Sequence, residues 1–312
     1  MKTLRFVVSL ITDDNDYQRA QASAAQEAAT RLGVEVRILF ANNNSIDQSQ
    51  QLLDAIHARD VDGIIVEPAG RTGFPKVAQA AVASGIAWVV LNCEADYLKE
   101  LRSSGSVQAF AVSADNHEIG RIQGRQLSAI MPRGGSLLYL QGPSYSMVTE
   151  QRTAGMLETK PGSMSVKVLK STNWTEESGF HAVASWLRLS TAHQEQINVV
   201  QAQNDLLAMG ARRAIEEQTT RPEGNRKSTV PFLGVDGLPG TGQAWVRQGI
   251  LAATVITPPI TSPALEALVA AVKGRGHQPE RTLIAPLSFP DIDSLATKFA
   301  ARSTAGGDSA SS

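Results

Sequence analysis

The sequence predicts an α/β protein built from repeated parallel βαβ units and divided into two lobes. Short β-branched runs alternate with segments of helical period along nearly the whole chain. The 312 residues exceed the usual size of a single domain. A hydrophobic fraction of 42% with only 5% aromatics suits layers of helix and sheet packed by small aliphatic side chains.

In the first unit, Arg5 to Ile11 reads as a buried strand. After a polar loop, Ala20, Ala24, Ala28 and Leu32 recur along one helical stripe, and Gly33 ends that helix as a C′ glycine. Strands follow at 34–40, 62–67 and 86–91, separated by helices at 47–59 and 73–84. A second series places strands at 108–113, 135–141, 165–170, 197–202 and 230–235, with helices at 116–130, 147–158, 175–189 and 204–218 between them. A strand at 252–257, a helix at 262–273, a strand at 282–287 and a short helix from Pro290 close the chain. The small and polar residues 303–312 are expected to be disordered.

Lys plus Arg number 29 against 30 Asp plus Glu, so no electrostatic footprint for a polyanion exists and nucleic acid is disfavoured as a partner. The lone Cys93 excludes an intramolecular disulfide and any cysteine-cluster metal site. There is no GxSxG elbow, HExxH, CxxC or P-loop, and His57, His117, His181, His193 and His277 lack metal-ligand spacing. No enzymatic activity, metal or cofactor is therefore expected, and His117 and His181 are read as solvated or satisfied on helices. The apolar run Phe6 to Ile11 is too short for a secretory signal core, and nothing approaches a membrane span. The expected compartment is the periplasm if an export signal has been removed, and the cytoplasm otherwise.

In open parallel sheets ligands collect at the carboxyl ends of strands, so polar residues just after strands carry the functional information. After the first strand, the Asp residues of Asp13-Asp14-Asn15-Asp16-Tyr17 read as a solvated loop with Asp16 as helix N-cap. Asn15 and Tyr17 are ligand candidates, since an amide and a ring can pair with and stack on one sugar. Asn92 follows the fourth strand and can donate to and accept from hydroxyls; its neighbour Cys93 reads as a filler thiol. Asn204 is either an N-cap or a ligand contact. Asp236 ends an apolar strand, where a carboxylate needs partners such as sugar hydroxyls or an arginine. The following Gly237-Leu238-Pro239-Gly240-Thr241-Gly242 matches no phosphate-loop spacing, and Pro239 removes a donor. Arg152 is either a surface ion pair or a fork reaching back to ligand, and Trp174 either a core plug or a stacking face.

These residues in this order resemble the type I periplasmic sugar-binding proteins of the ribose-binding kind, from about residue 4 to 290. The landmarks are Val7-Val8-Ser9, Ala114-Asp115-Asn116 with Gly120, Leu140-Gln141-Gly142, Arg152 with Gly155, Ala202-Gln203-Asn204-Asp205, Gly234-Val235-Asp236-Gly237 and Ala252-Ala253-Thr254-Val255. The resemblance implies two Rossmann-like lobes joined by a three-segment hinge: 1–113 with 258–288, and 114–257 with 289–302. It implies that ligand binds between the lobes. It places Asn15 on the family's N-lobe asparagine, Tyr17 and Trp174 on stacking phenylalanines, Arg152 on a hydroxyl-binding arginine, and Asn204 and Asp236 on ligand asparagine and aspartate. Three positions depart: Asn92-Cys93 replaces an Asp-Arg pair, Thr257 a hinge glutamine, and Gln18 a second stacking phenylalanine. Hydrogen bonds to charged groups contribute about 1.5–3 kcal/mol against about 0.5–1.5 for neutral ones, so these changes cost ribose affinity or signal another ligand.

The function implied is a monomeric solute-binding protein that closes on a small sugar or polyol and presents it to an ABC transporter permease, or to a sensor. The alternative is the sugar-sensing core of a LacI-type regulator without its output module; such proteins carry a helix-turn-helix before the first strand, which here begins at about residue 4.

Overall fold

The computed structural model describes residues 3–103, 107–190, 192, 195–219 and 230–305. The chain divides into two compact units: residues 1–114 with 259–284, and 115–258 with 285–312.

Chain order begins with β1 (Arg5–Leu10), α1 (Asp16–Leu32), β2 (Glu35–Phe40), α2 (Ser45–Ala58), β3 (Gly63–Val66), α3 (Pro75–Ala83), β4 (Ala87–Leu91), α4 (Leu98–Ser103) and β5 (Ala109–Ala114). The second unit follows with α5 (Asn116–Ile130), β6 (Ser136–Gln141), α6 (Met147–Thr159), β7 (Ser165–Lys170), α7 (Glu176–Leu187), β8 (Val199–Ala202), α8 (Asp205–Thr219), β9 (Phe232–Leu233), α9 (Gly242–Arg247) and β10 (Thr254–Ile256). α10 (Thr261–Val272) and β11 (Arg281–Ile284) return to the first unit, and β12 (Leu287–Phe289) and α11 (Ile292–Ala305) end in the second.

The first unit is a six-stranded sheet in the order β2-β1-β3-β4-β5-β11, every pair parallel. Its inner strands β3, β4 and β5 are buried along their whole length, as strands covered on both faces by crossover helices must be. Gly33 closes α1 in the left-handed conformation expected of it, its N–H reaching the carbonyls of Ala29 and Thr30. The buried face of α1 departs from the alanine stripe: it runs through Gln18, Gln21, Ala25, Ala28 and Ala29. Gln21 is buried because its Oε1 accepts from the Thr261 N–H at 3.1 Å and its carbonyl accepts from the Thr261 hydroxyl, so a polar residue occupies the contact with α10.

The second unit carries a four-stranded parallel sheet, β7-β6-β8-β9, and an antiparallel pair, β10-β12. Single bridges from Leu233 to Ala253 and from Asp236 to Ile256 connect the two. The strand expected at 230–235 thus contracts to Phe232–Leu233, because the chain beyond it holds β10 through isolated bridges rather than a ladder. The strand expected at 282–287 is two strands in two units: β11 pairs with β5, then the chain turns and β12 pairs with β10. The third boundary therefore falls between Ile284 and Ala285, earlier than the sequence places it.

Short helices α4 and α9 have no counterpart in the sequence reading. The last helix is longer than expected and continues to Ala305, so residues 303–305 are helical; the remainder of the expected disordered tail, 306–312, lies outside the described residues. No helix among the described residues is long and apolar enough to cross a membrane.

Two glycines allow α5 and α6 to approach. A Cβ on Gly155 would stand 2.1 Å from the His117 carbonyl oxygen, and one on Gly120 would stand 2.2 Å from the Arg152 carbonyl oxygen. Only hydrogen fits at either position, and the contact fixes the backbone from which Arg152 projects.

Candidate functional site

In the first unit the candidate residues lie at the carboxyl ends of β1 and β4. Asn15, not Asp16, caps α1: its Oδ1 accepts from the Gln18 N–H at 3.0 Å, and Asp16 is already the first helical residue. Asn15 is buried, its extended backbone suits the cap, and Tyr17 is half-buried in the first turn. Asn92 sits just past β4 with φ at 49°, a left-handed conformation in which asparagine is tolerated. Its Nδ2 donates to Glu67 Oε1 at 2.7 Å, and its Oδ1 accepts from the Ala114 N–H at 3.1 Å.

Glu67 was not singled out by the sequence reading. It follows β3 directly, so the rule that selected Asn92 would have found it. Only 5% exposed, it accepts from Gln18 Nε2 at 2.8 Å as well as from Asn92. Gln18, the residue standing in place of a stacking phenylalanine, is therefore part of a polar bridge across the ends of β3 and β4. Cys93 behaves as filler: burial first, then the neighbouring Glu94 carboxylate, push its thiol up to about 11, so it stays protonated at neutral pH.

In the second unit Arg152 is buried, 6% exposed, which removes the surface ion-pair reading. Its Nε donates to Asn116 Oδ1 at 3.1 Å, one guanidinium nitrogen donates to the Gln203 carbonyl, and the guanidinium carbon lies 5.8 Å from the centre of the Trp174 ring. Trp174 is half-buried, packed on the core beneath α7 and α8 and seated over Gly142, where an added Cβ would come within 2.0 Å of the ring.

Asn204 is a helix N-cap, the first of the two readings considered for it. Its Oδ1 accepts from the Leu207 N–H at 2.8 Å, as a helix cap does, and its Nδ2 donates to the Trp174 carbonyl at 2.9 Å. Arg152, Trp174 and Asn204 are thus brought together. Gln203 ties their supports: its Oε1 accepts from the Gly142 N–H at 2.8 Å, and its Nε2 donates to Tyr139 and Thr153 hydroxyls and to the Thr149 carbonyl.

Asp236 and Thr257 lie at the ends of β9 and β10. Asp236 has φ at 106°, sparsely populated for a residue with a side chain, and is held there by its N–H on the Val255 carbonyl and its own carbonyl on the Thr257 N–H, both at 3.0 Å. Thr257 is 1% exposed and its hydroxyl has no hydrogen-bond partner.

The glycine-rich 237–242 segment is no anion cradle. The buried Asp205 carboxylate already occupies it, accepting from the Gly237 N–H at 2.9 Å and the Thr254 hydroxyl at 2.7 Å. His117 and His181 are satisfied as expected: His117 meets Glu158 at 2.8 Å and His181 meets Glu177 at 2.8 Å. No group of three or more His, Cys, Asp or Glu suited to a metal occurs among the described residues.

The model of the periplasmic binding protein domain matches residues 6–276 of this sequence. The chain belongs to the periplasmic binding protein family. Within that family it is of the type I, ribose-binding-like kind. It is 24% identical over 288 residues to the galactofuranose-binding protein YtfQ of Escherichia coli K12, covering 91% of this chain and 87% of that protein. It is 26% identical over 286 residues to the D-apiose import binding protein of Paraburkholderia graminis, covering 89% of this chain and 85% of that protein. The structure of an ABC transporter periplasmic solute binding protein from Actinobacillus succinogenes with bound D-allose has the same fold, with a TM-score of 0.79 at 22% identity over 95% of this chain and 100% of that one. In this periplasmic binding protein, then, the polar groups described above stand at or beyond the carboxyl ends of the parallel strands.

Proposed function

We propose that this chain binds a small sugar or polyol and presents it to the permease of an ABC transporter, without turning it over. The observation that carries the reading is the grouping of Arg152, Trp174 and Asn204: a buried guanidinium beside an aromatic ring and an amide, beyond the carboxyl ends of β6, β7 and β8. A planar cation and an amide read hydroxyl positions, and a half-buried ring receives the apolar face of a sugar. Relatives that bind galactofuranose, D-apiose and ribose support the same ligand class.

Asn15, Tyr17 and Asn92 serve the ligand from the first unit, and Arg152, Trp174, Asn204, Asp236 and Thr257 from the second. The protein works as a monomer in the periplasm, with no cofactor.

Thermal denaturation in the presence of pentoses, hexoses and polyols tests the reading. A ligand at 100 times its Kd adds about 2.7 kcal/mol of stability, a readily measured rise in Tm. No rise with any of them at millimolar concentration, or conversion of a bound sugar detected by mass spectrometry, would sink it.

A further inference from the structure

We propose that Glu67 sets the ligand specificity of the first unit by locking the side-chain amide of Gln18, so that Gln18 Oε1 is presented as an acceptor for one particular ligand hydroxyl. The proposal rests on the sugar-binding reading above and adds to it a group on the ligand that must be a hydrogen-bond donor.

Amide orientation is ordinarily ambiguous, but here the partners decide it. Glu67 accepts at both oxygens, so the nitrogens of Gln18 and Asn92 must face it. Asn92 is determined twice over, because its oxygen faces the Ala114 N–H, which can only donate. For Gln18 the consequence is that its oxygen is left over. Gln18 is 5% exposed, and its Oε1 is buried with no hydrogen-bond partner. A buried acceptor without a donor is costly, and folded proteins satisfy nearly all such atoms. The donor that meets this one is a hydroxyl of the bound sugar.

Glu67 is a positioning residue in this scheme and Gln18 the ligand contact. With phenylalanine at residue 18 the strand end would offer a ring face; with glutamine pinned by a carboxylate it offers one directional acceptor. A ligand lacking the hydroxyl, or carrying it as a methyl ether, leaves the acceptor unmet and binds more weakly.

The test has a ligand arm and a ligand-free arm. D-Ribose, D-allose, D-apiose and myo-inositol are titrated calorimetrically into the wild type, and the tightest binder is compared with its monodeoxy analogues. One deoxy analogue should bind at least about tenfold more weakly than its parent. Gln18→Leu should weaken the parent by a similar factor and no longer distinguish it from that analogue. Glu67→Gln, whose amide can donate as well as accept, should blunt the same discrimination. If Gln18→Leu discriminates as the wild type does, an ordered water fills the place assigned to the hydroxyl and the proposal is overturned.

In the ligand-free arm, the side-chain amide NMR signals of Gln18 and Asn92 should both shift in Glu67→Gln; unmoved signals would overturn the locking step. That arm needs no sugar, so its failure is separate from a failure of all four probes to bind, which would bring down the sugar-binding reading together with this one.

Discussion

The guanidinium of Arg152 lies 5.8 Å from the centre of the Trp174 ring, and that ring rests on Gly142 with no room for a methyl group between them. A cation held over an aromatic face at a partly desolvated site contributes about 0.5–2 kcal/mol, so each residue stabilises the other's position.

Trp174→Ala should lower sugar affinity about tenfold or more, since it removes both a stacking surface and the support of Arg152. Gly142→Ala should reproduce much of that loss without touching any polar group, because its Cβ would come 2.0 Å from Trp174 Cη2 and must push the ring aside. Isothermal titration calorimetry of the two variants checks this; undiminished affinity in Gly142→Ala would show that the ring position is unimportant.

The α5–α6 contact gives a stability prediction with an internal control. Gly155→Ala forces a methyl group to within 2.1 Å of the His117 carbonyl and should destabilise the protein by about 1–3 kcal/mol. It should also weaken sugar binding by displacing the helix that carries Arg152. Gly162→Ala has nothing within 4 Å and should lie within about 0.5 kcal/mol of wild type. Urea denaturation distinguishes the two.

Asp205→Ala should destabilise the second unit by about 3 kcal/mol or more. The carboxylate accepts from the Gly237 N–H and the Thr254 hydroxyl while buried, and hydrogen bonds to a charged group contribute about 1.5–3 kcal/mol each. Scanning calorimetry measures it, and a Tm unchanged from wild type would mean that the 237–242 turn holds itself.

Cys93 should be nearly inert while the protein is folded. Raising the thiol from 9.0 to about 11 lowers its thiolate fraction at pH 8 about 100-fold, before restricted access is counted. A disulfide reagent followed at 412 nm should react slowly with the native protein and promptly in guanidinium. The sign of the linked stability effect follows: between pH 9 and pH 11 the unfolded chain binds fewer protons at this thiol than the native one. The contribution of Cys93 is therefore complete below pH 9 and is lost as pH rises towards 11.

Much of the candidate site was legible in the sequence because strand ends can be read locally. Asn92 and Asp236 directly follow apolar runs, Asn204 stands one polar residue beyond β8, and Asn15 lies in the polar loop after β1, so all four come after a strand's carboxyl end. Glu67 obeys the same rule and was overlooked. What the rule could not supply is orientation. Asn92 and Asp236 both adopt positive φ, which aims their side chains differently from an ordinary strand residue, and only their backbone partners reveal it.

The order of the longer helices and most strands, the glycine stop of α1 and the family could be read along the chain, because hydrophobic period, capping and close-packed glycines are written within a few residues of one another. Tertiary structure decided which alternation was real at the margins and which polar groups meet. Gln21 took a core position from the alanine stripe where its Oε1 and backbone carbonyl pair with Thr261, β9 shrank because β10 offers it only bridges, and Gln18 reaches Glu67 across 49 residues of chain. A buried hydrogen bond depends on a donor and an acceptor arriving at one place together, and for groups so far apart in sequence that coincidence is a property of the packed fold.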